Sequence, residues 1–391
     1  MMKINALPII VSCLSLIGCV NANSKSEALL ADAPEVTHQL HTPATNETPK
    51  IQVALLLDTS NSMDGLIDQA RAQLWDIVNE LSLAKCYGKA PTLSIALYEY
   101  GNSNLSQYDG YTRKILEFTQ DLDDVSKALF SLTTNGGSEY CGTVVQTAVT
   151  NLEWENEDET LKLIFIAGNE PYTQGQINYV DASQNAKEHD ITVNTMFCGS
   201  YNHGVSSYWR DGALLTGGDY MAIDHNKAIV DVASPYDNAI LKLNTKLNNT
   251  YIPYGAKGLE KAEVQISQDD NAMSYNESSA IKRAVSKSSH LYTNKSWDLV
   301  DAVNENEVTL SKLNTAQLPK ALAGKSTAEI EAYIVLKTKE RKQLQEKIQQ
   351  LNTKRKNYIA KETTTLNKAN NLQSAMLAAI KKQAEAKHFY W

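Results

Sequence analysis

The chain is 391 residues long, 42% hydrophobic and 21% charged, with a formal net charge of −8 at pH 7. The length leaves room for two domains, and the composition is that of a folded chain, which excludes an intrinsically disordered one. The acidic balance argues against nucleic acid as a partner, although residues 325–391 reverse it locally with 14 Lys and Arg against 6 Asp and Glu.

Residues 1–18 read as an export signal, with Lys3 ahead of an apolar core from Ala6 to Ile17 that is too short for an ordinary membrane span. The core ends in L-I-G-C, Leu16 to Cys19, which resembles the lipobox of bacterial lipoproteins. The resemblance implies cleavage before Cys19, lipidation of that residue and attachment to a membrane of the bacterial cell envelope. Val20 in the next position is compatible with the outer membrane of a Gram-negative cell. A plain signal peptide with an incidental cysteine is the alternative. Residues 19–49 carry no apolar period and read as a flexible tether.

Residues 50–234 read as a domain of alternating strands and helices. Ile51 to Leu57 is an almost wholly apolar run that stops at Asp58, as a strand buried on both faces does. Five polar residues follow. Ile67, Ala70, Leu74, Ile77, Val78 and Leu81 then recur at helical spacing. Asp58, Ser60 and Ser62 therefore fall on a strand-to-helix loop, where open α/β sheets place their ligands. A carboxylate and two hydroxyls at alternate positions suit a hard divalent cation; capping of the helix start is the alternative use of the same residues.

Pro91–Tyr100 alternates as a second strand, Ile115–Phe118 as a short third, and Asp121–Leu132 as a helix with Asp121 at its cap. T-T-N-G-G-S-E-Y-C-G-T, Thr133 to Thr143, is a glycine-rich loop before a helix at Val144–Trp154. Ser138, Glu139 and Thr143 offer oxygens there, with Ser138 the first choice for a hydroxyl ligand. Leu161–Ala167 is another buried strand, followed by A-G-N-E, Ala167 to Glu170. A helix at Gly175–His189, a strand at Ile191–Phe197, a helix at Ser206–Leu215 and a strand at Tyr220–Ile223 complete the alternation. It predicts an α/β fold, a doubly wound and mostly parallel sheet. No G-x-G-x-x-G follows the first strand, so a dinucleotide site is not expected.

The D-T-S-N-S segment at Asp58–Ser62 resembles the metal-ion-dependent adhesion site of von Willebrand factor type A domains, and the glycine-rich loop and buried strands match that family's order. The resemblance implies a Rossmann-like sheet carrying a divalent cation, Mg²⁺ first with Mn²⁺ or Ca²⁺ as alternatives. Asp58, Ser60, Ser62 and Ser138 would be its ligands, and a partner protein would complete it with a carboxylate. In the family the last strand segment usually reads T-D-G; here Gly168 stands at the Asp position, so Asn169 or Glu170 would have to reach the ion.

The remaining cysteines are Cys86, Cys141 and Cys198, without zinc-like spacing. A Cys141–Cys198 disulfide across two site loops is one expectation, and three buried thiols the other. Cys141 with Glu139 and His189 or His203 could be arranged as a nucleophile and base, but no motif supports it, so no catalytic residue is expected.

Residues 235–324 read as a mixed, mostly helical extension, and residues 325–391 as a basic helical tail. Leu344, Ile348, Leu351 and Tyr358 form a short seam interrupted by Arg355 and Glu362. It suits a coiled coil and self-association, a helical hairpin, or an arm packed on the domain. The functional expectation is an envelope-anchored protein that binds another protein through a cation; the alternative is a metal-free scaffold whose helical tail carries the interaction.

Overall fold

The computed structural model describes residues 48–224, 232–313, 318–320, 322–362 and 372–391. The expected export signal, Cys19 and all but the last of the tether lie outside the described residues. The first half comprises β1 (Lys50–Asp58), a 3-10 turn at Asn61–Met63, α1 (Asp64–Leu81), β2 (Lys85–Cys86), β3 (Thr92–Tyr100), β4 (Thr112–Thr119), α2 (Leu122–Ser131) and α3 (Cys141–Asn151). There follow β5 (Leu161–Gly168), α4 (Tyr179–Glu188), β6 (Thr192–Cys198), α5 (Tyr201–Ser206), α6 (Trp209–Leu214) and β7 (Tyr220–Ile223).

Six of these strands make one sheet in the order β4-β3-β1-β5-β6-β7. All pairs are parallel except β3–β4, where β4 is an antiparallel edge. The reversal of order on either side of β1 is the doubly wound topology expected from the alternation. Strand alternation divides the core into two layers. Ile51, Val53, Leu55 and Leu57 face one side with α1 and α2; Ala54 and Leu56 face the other with α3 and α4. The central strands are mostly apolar because helices cover both faces; exceptions such as Gln52, Lys162 and Asn194 are buried with hydrogen-bond partners.

Local chemistry sets several element ends. The Asp121 carboxylate accepts from the amides of Asp123 and Asp124 and so caps α2, as its position in the sequence suggested. Asn178 caps α4 through the Val180 amide, which starts that helix four residues later than its periodicity indicated. The helix expected at Ser206–Leu215 is the shorter α6, and an unexpected helix, α5, precedes it; Tyr208, left-handed with φ of 70°, separates the two.

The second half comprises α7 (Asp237–Asn248), α8 (Gly258–Tyr275), α9 (Glu277–Ser286), α10 (Leu299–Asn304), α11 (Thr327–Glu362), α12 (Leu372–Glu385) and β8 (Phe389–Tyr390). Ile348 of α11 packs with Ile240, Leu247, Ile281 and Val285 of α7 and α9, and Leu344 and Leu351 border that cluster. The seam considered for self-association is thus filled within the chain. Arg355, which interrupted it, is buried and paired with Asp237 at 2.9 Å. Leu372, Ala375, Met376, Ala379 and Ile380 of α12 enter the sheet's own core beside α1. β8 then pairs antiparallel with β2. Among the described residues no helix is long and apolar enough to cross a membrane.

Candidate metal centre

Asp58 is the last residue of β1, at the carboxyl edge of the sheet, and its side chain is fully buried. Its Oδ1 accepts from the Ser60 amide at 2.7 Å. The Thr59 peptide is held on both sides: its N–H donates to the Tyr100 carbonyl at 2.9 Å, and its carbonyl accepts from Asn135 at 2.9 Å. The loop is therefore anchored to the neighbouring β3 end and to the glycine-rich loop. The Ser60 and Ser62 hydroxyls lie 3.3 Å apart, and Asn169 Nδ2 donates to Ser62 Oγ at 3.1 Å. Four of the six residues expected at the site thus form one connected cluster.

Glu139 also reaches it. This carboxyl is 2% exposed and lies beside Asp58: a Cβ on Gly101 would fall 2.7 Å from Asp58 Oδ1 and 2.9 Å from Glu139 Cγ. Its Oε2 accepts from the Glu170 amide at 3.2 Å. Glu170 thus contributes through its backbone; its side chain is exposed and accepts from Gln174 Nε2 at 3.2 Å. Ser138, preferred from the sequence, is half-buried. Thr143 faces Gly110 instead. The signal for Glu139 was present in the G-G-S-E order, but which of two adjacent side chains turns inward depends on the loop's path over Gly101.

Burial pushes the Asp58 carboxyl well above the ordinary range, and the facing Glu139 pushes it further. Burial likewise raises Glu139. Two buried acids in contact stabilise a shared proton or a cation. Asp58 Oδ2 and Asn169 Oδ1 are both buried without a hydrogen-bond partner, so the cluster has acceptor capacity that the described residues leave unused. No group of three or more His, Cys, Asp or Glu side chains placed to hold a metal ion occurs among the described residues. The donor set is therefore carboxylate, hydroxyl and amide oxygen, which fits a hard cation of the Mg²⁺ or Ca²⁺ kind.

Cys141 lies beside the cluster, its amide donating to the Glu139 carbonyl at 3.1 Å. The expected Cys141–Cys198 bridge is not formed: Cys86, Cys141 and Cys198 are all free and buried. Cys141 belongs to the core on one face of the sheet and Cys198 to the core on the other. The alternation of β6 turns Cys198 away from α3, which carries Cys141. Burial raises both thiols well above their usual value, which disfavours the thiolate. His189 contacts the Asn185 carbonyl and His203 stacks edge-on against Phe197, so neither addresses Cys141.

Residues 52–203 match the family model described as von Willebrand factor type A domain. This segment is a von Willebrand factor type A domain. Several solved structures are similar to this chain over less than half of its length. Proximal thread matrix protein 1 from the mussel byssus shares 9% identity at a TM-score of 0.32, over 44% of this chain and 41% of that one. BatB from Bacteroides thetaiotaomicron shares 15% at 0.34, over 44% and 90%. A von Willebrand factor type A protein from Catenulispora acidiphila shares 14% at 0.34, over 45% and 39%. The match spans only about two fifths of the length of the first and third of these. Among curated proteins none matches the chain.

Proposed function

We propose that this chain binds a partner protein through a divalent cation at the carboxyl edge of its type A domain. The observation that carries the reading is the fully buried Asp58, whose Oδ2 has no partner beside Ser60, Ser62 and Asn169. Asp58, Ser60 and Ser62 would hold the ion, with Ser138, Asn169 and Glu170 around it. Mg²⁺ is the expected ion, and Mn²⁺ or Ca²⁺ would serve the same donors. A bound cation supplies a coordination position for a carboxylate of the partner, and burial strengthens that contact by limiting the screening of water. A lipid on Cys19 and a tether to residue 49 would hold the domain at a bacterial envelope membrane, the outer one by the reading of Val20.

One observation favours a metal-free scaffold instead: Gly168 stands where the family's Asp would be. Titration of the purified chain with Mg²⁺, Mn²⁺ and Ca²⁺ separates the two. The cation reading expects a higher melting temperature with metal and partner capture from envelope extract that chelator abolishes, both lost in Asp58→Ala. If melting and capture ignore both metal and that substitution, the scaffold reading holds.

A further inference from the structure

We propose that Glu139 supplies the second carboxylate of the cation site, replacing the acidic residue missing at the end of β5, and that Ser138 is not a ligand. The inference rests on the cation reading above and concerns which residues grip the ion.

The end of β5 has no room for an acid. A Cβ on Gly168 would lie 2.4 Å from the Tyr100 hydroxyl, 3.1 Å from the Trp209 ring and 3.2 Å from Asp58 Oδ2. Neither obstacle is free to retreat. The Tyr100 hydroxyl donates to the Ala167 carbonyl at 3.0 Å, and Trp209 Nε1 donates to the Glu170 carbonyl at 2.7 Å. Both rings are buried. A carboxylate at position 168 is thus sterically excluded by the way this sheet end is packed.

The loop before α3 brings a carboxylate to the same place from the other side. Gly101, at φ of 80°, leaves the space that Asp58 and Glu139 share: a Cβ there would lie 2.7 Å from Asp58 Oδ1 and 2.9 Å from Glu139 Cγ. The Glu170 amide holds Glu139 Oε2 and so aims the carboxyl. No Lys or Arg pairs with either acid among the described residues. Asp58 Oδ2 and Asn169 Oδ1, buried and unpartnered, are independent of Glu139 and complete an all-oxygen set. Two carboxylates neutralise a divalent ion, which is the charge the family obtains from two aspartates.

Mn²⁺ alone is the probe, followed by calorimetry and by the electron paramagnetic resonance signal of free Mn²⁺, on the purified chain. Wild type is expected to bind, Glu139→Gln to bind about tenfold more weakly or worse, and Ser138→Ala to stay within about twofold. Far-UV circular dichroism checks that Glu139→Gln is folded; if it is not, Glu139→Asp replaces it, with weakening of about threefold or more expected from the shortened side chain. Mn²⁺ binding by the folded Glu139 variant at wild-type strength overturns the proposal and leaves the cation reading intact, as does an equal loss in Ser138→Ala. A wild-type chain that takes up no Mn²⁺ overturns both.

Discussion

Asn169 Nδ2 donates to the Ser62 hydroxyl at 3.1 Å across 107 residues of sequence, while its own Oδ1 stays buried without a partner. The amide is thus fixed by its nitrogen with its oxygen left over. A carboxylate in its place keeps an acceptor and adds charge next to Asp58 and Glu139. Asn169→Asp is expected to raise Mn²⁺ affinity on the order of tenfold and to lower stability in chelator. Paired melting curves with and without metal check both signs; unchanged affinity would show that Asn169 lies outside the ion's reach.

Gly101 combines a left-handed backbone with a close approach to two carboxyls. Gly101→Ala is expected to lower stability by about 1–2 kcal/mol from the backbone alone, with the displaced carboxyls adding to it. Urea unfolding measures the loss, and cation-dependent stabilisation should disappear with it. For the wild type that stabilisation is about 2.7 kcal/mol at one hundred times Kd.

The last helix is part of the domain core. Met376 and Ile380 are buried beside α1, so truncation leaves cavities in packed surroundings. Met376→Ala or Ile380→Ala is expected to cost about 2–5 kcal/mol each. The unfolding midpoint should fall accordingly. An unchanged midpoint would mean that α12 does not complete the core.

Asp301 gives the chain a pH dependence of unusual sign. Burial, helped by the Asp298 carboxylate, brings its carboxyl up to about 6 against the Arg341 charge that lowers it. The folded chain therefore keeps this proton where the unfolded chain, near 3.8, has lost it. Stability from this group is full below that window and falls as pH rises through it. Asp301→Asn should flatten the fall, by up to roughly 3 kcal/mol between about pH 4 and pH 7. Arg341 pairs at 2.6 Å with Asp298 and also with Asp301 itself, so the substitution changes stability at every pH, and the difference between urea midpoints at the two pH values is what reports the titration.

Much of the domain was legible along the chain because its signals are local. An almost wholly apolar seven-residue run ending at Asp58 suits a strand covered on both faces, and polar residues after it open the next helix. Asp121 as a cap and Tyr220–Ile223 as the last strand were readable for the same reason. Tyr208 was not, since a left-handed tyrosine carries no local signature. Nor was α12: its apolar stripe at Leu372, Ala375, Met376, Ala379 and Ile380 was visible as helix, but the surface it covers was not.

Local order along the chain places Asp58, Ser60 and Ser62 on a loop at a sheet edge, whatever packs around them. Packing between distant segments sets the rest: Glu139 meets Asp58, Tyr100 and Trp209 fill the space at Gly168, and Cys141 and Cys198 lie on opposite faces. The physical reason is that each of these is set by which loop or ring reaches a shared volume first. That competition takes place between segments far apart in the chain, and periodicity within any one of them carries no record of it.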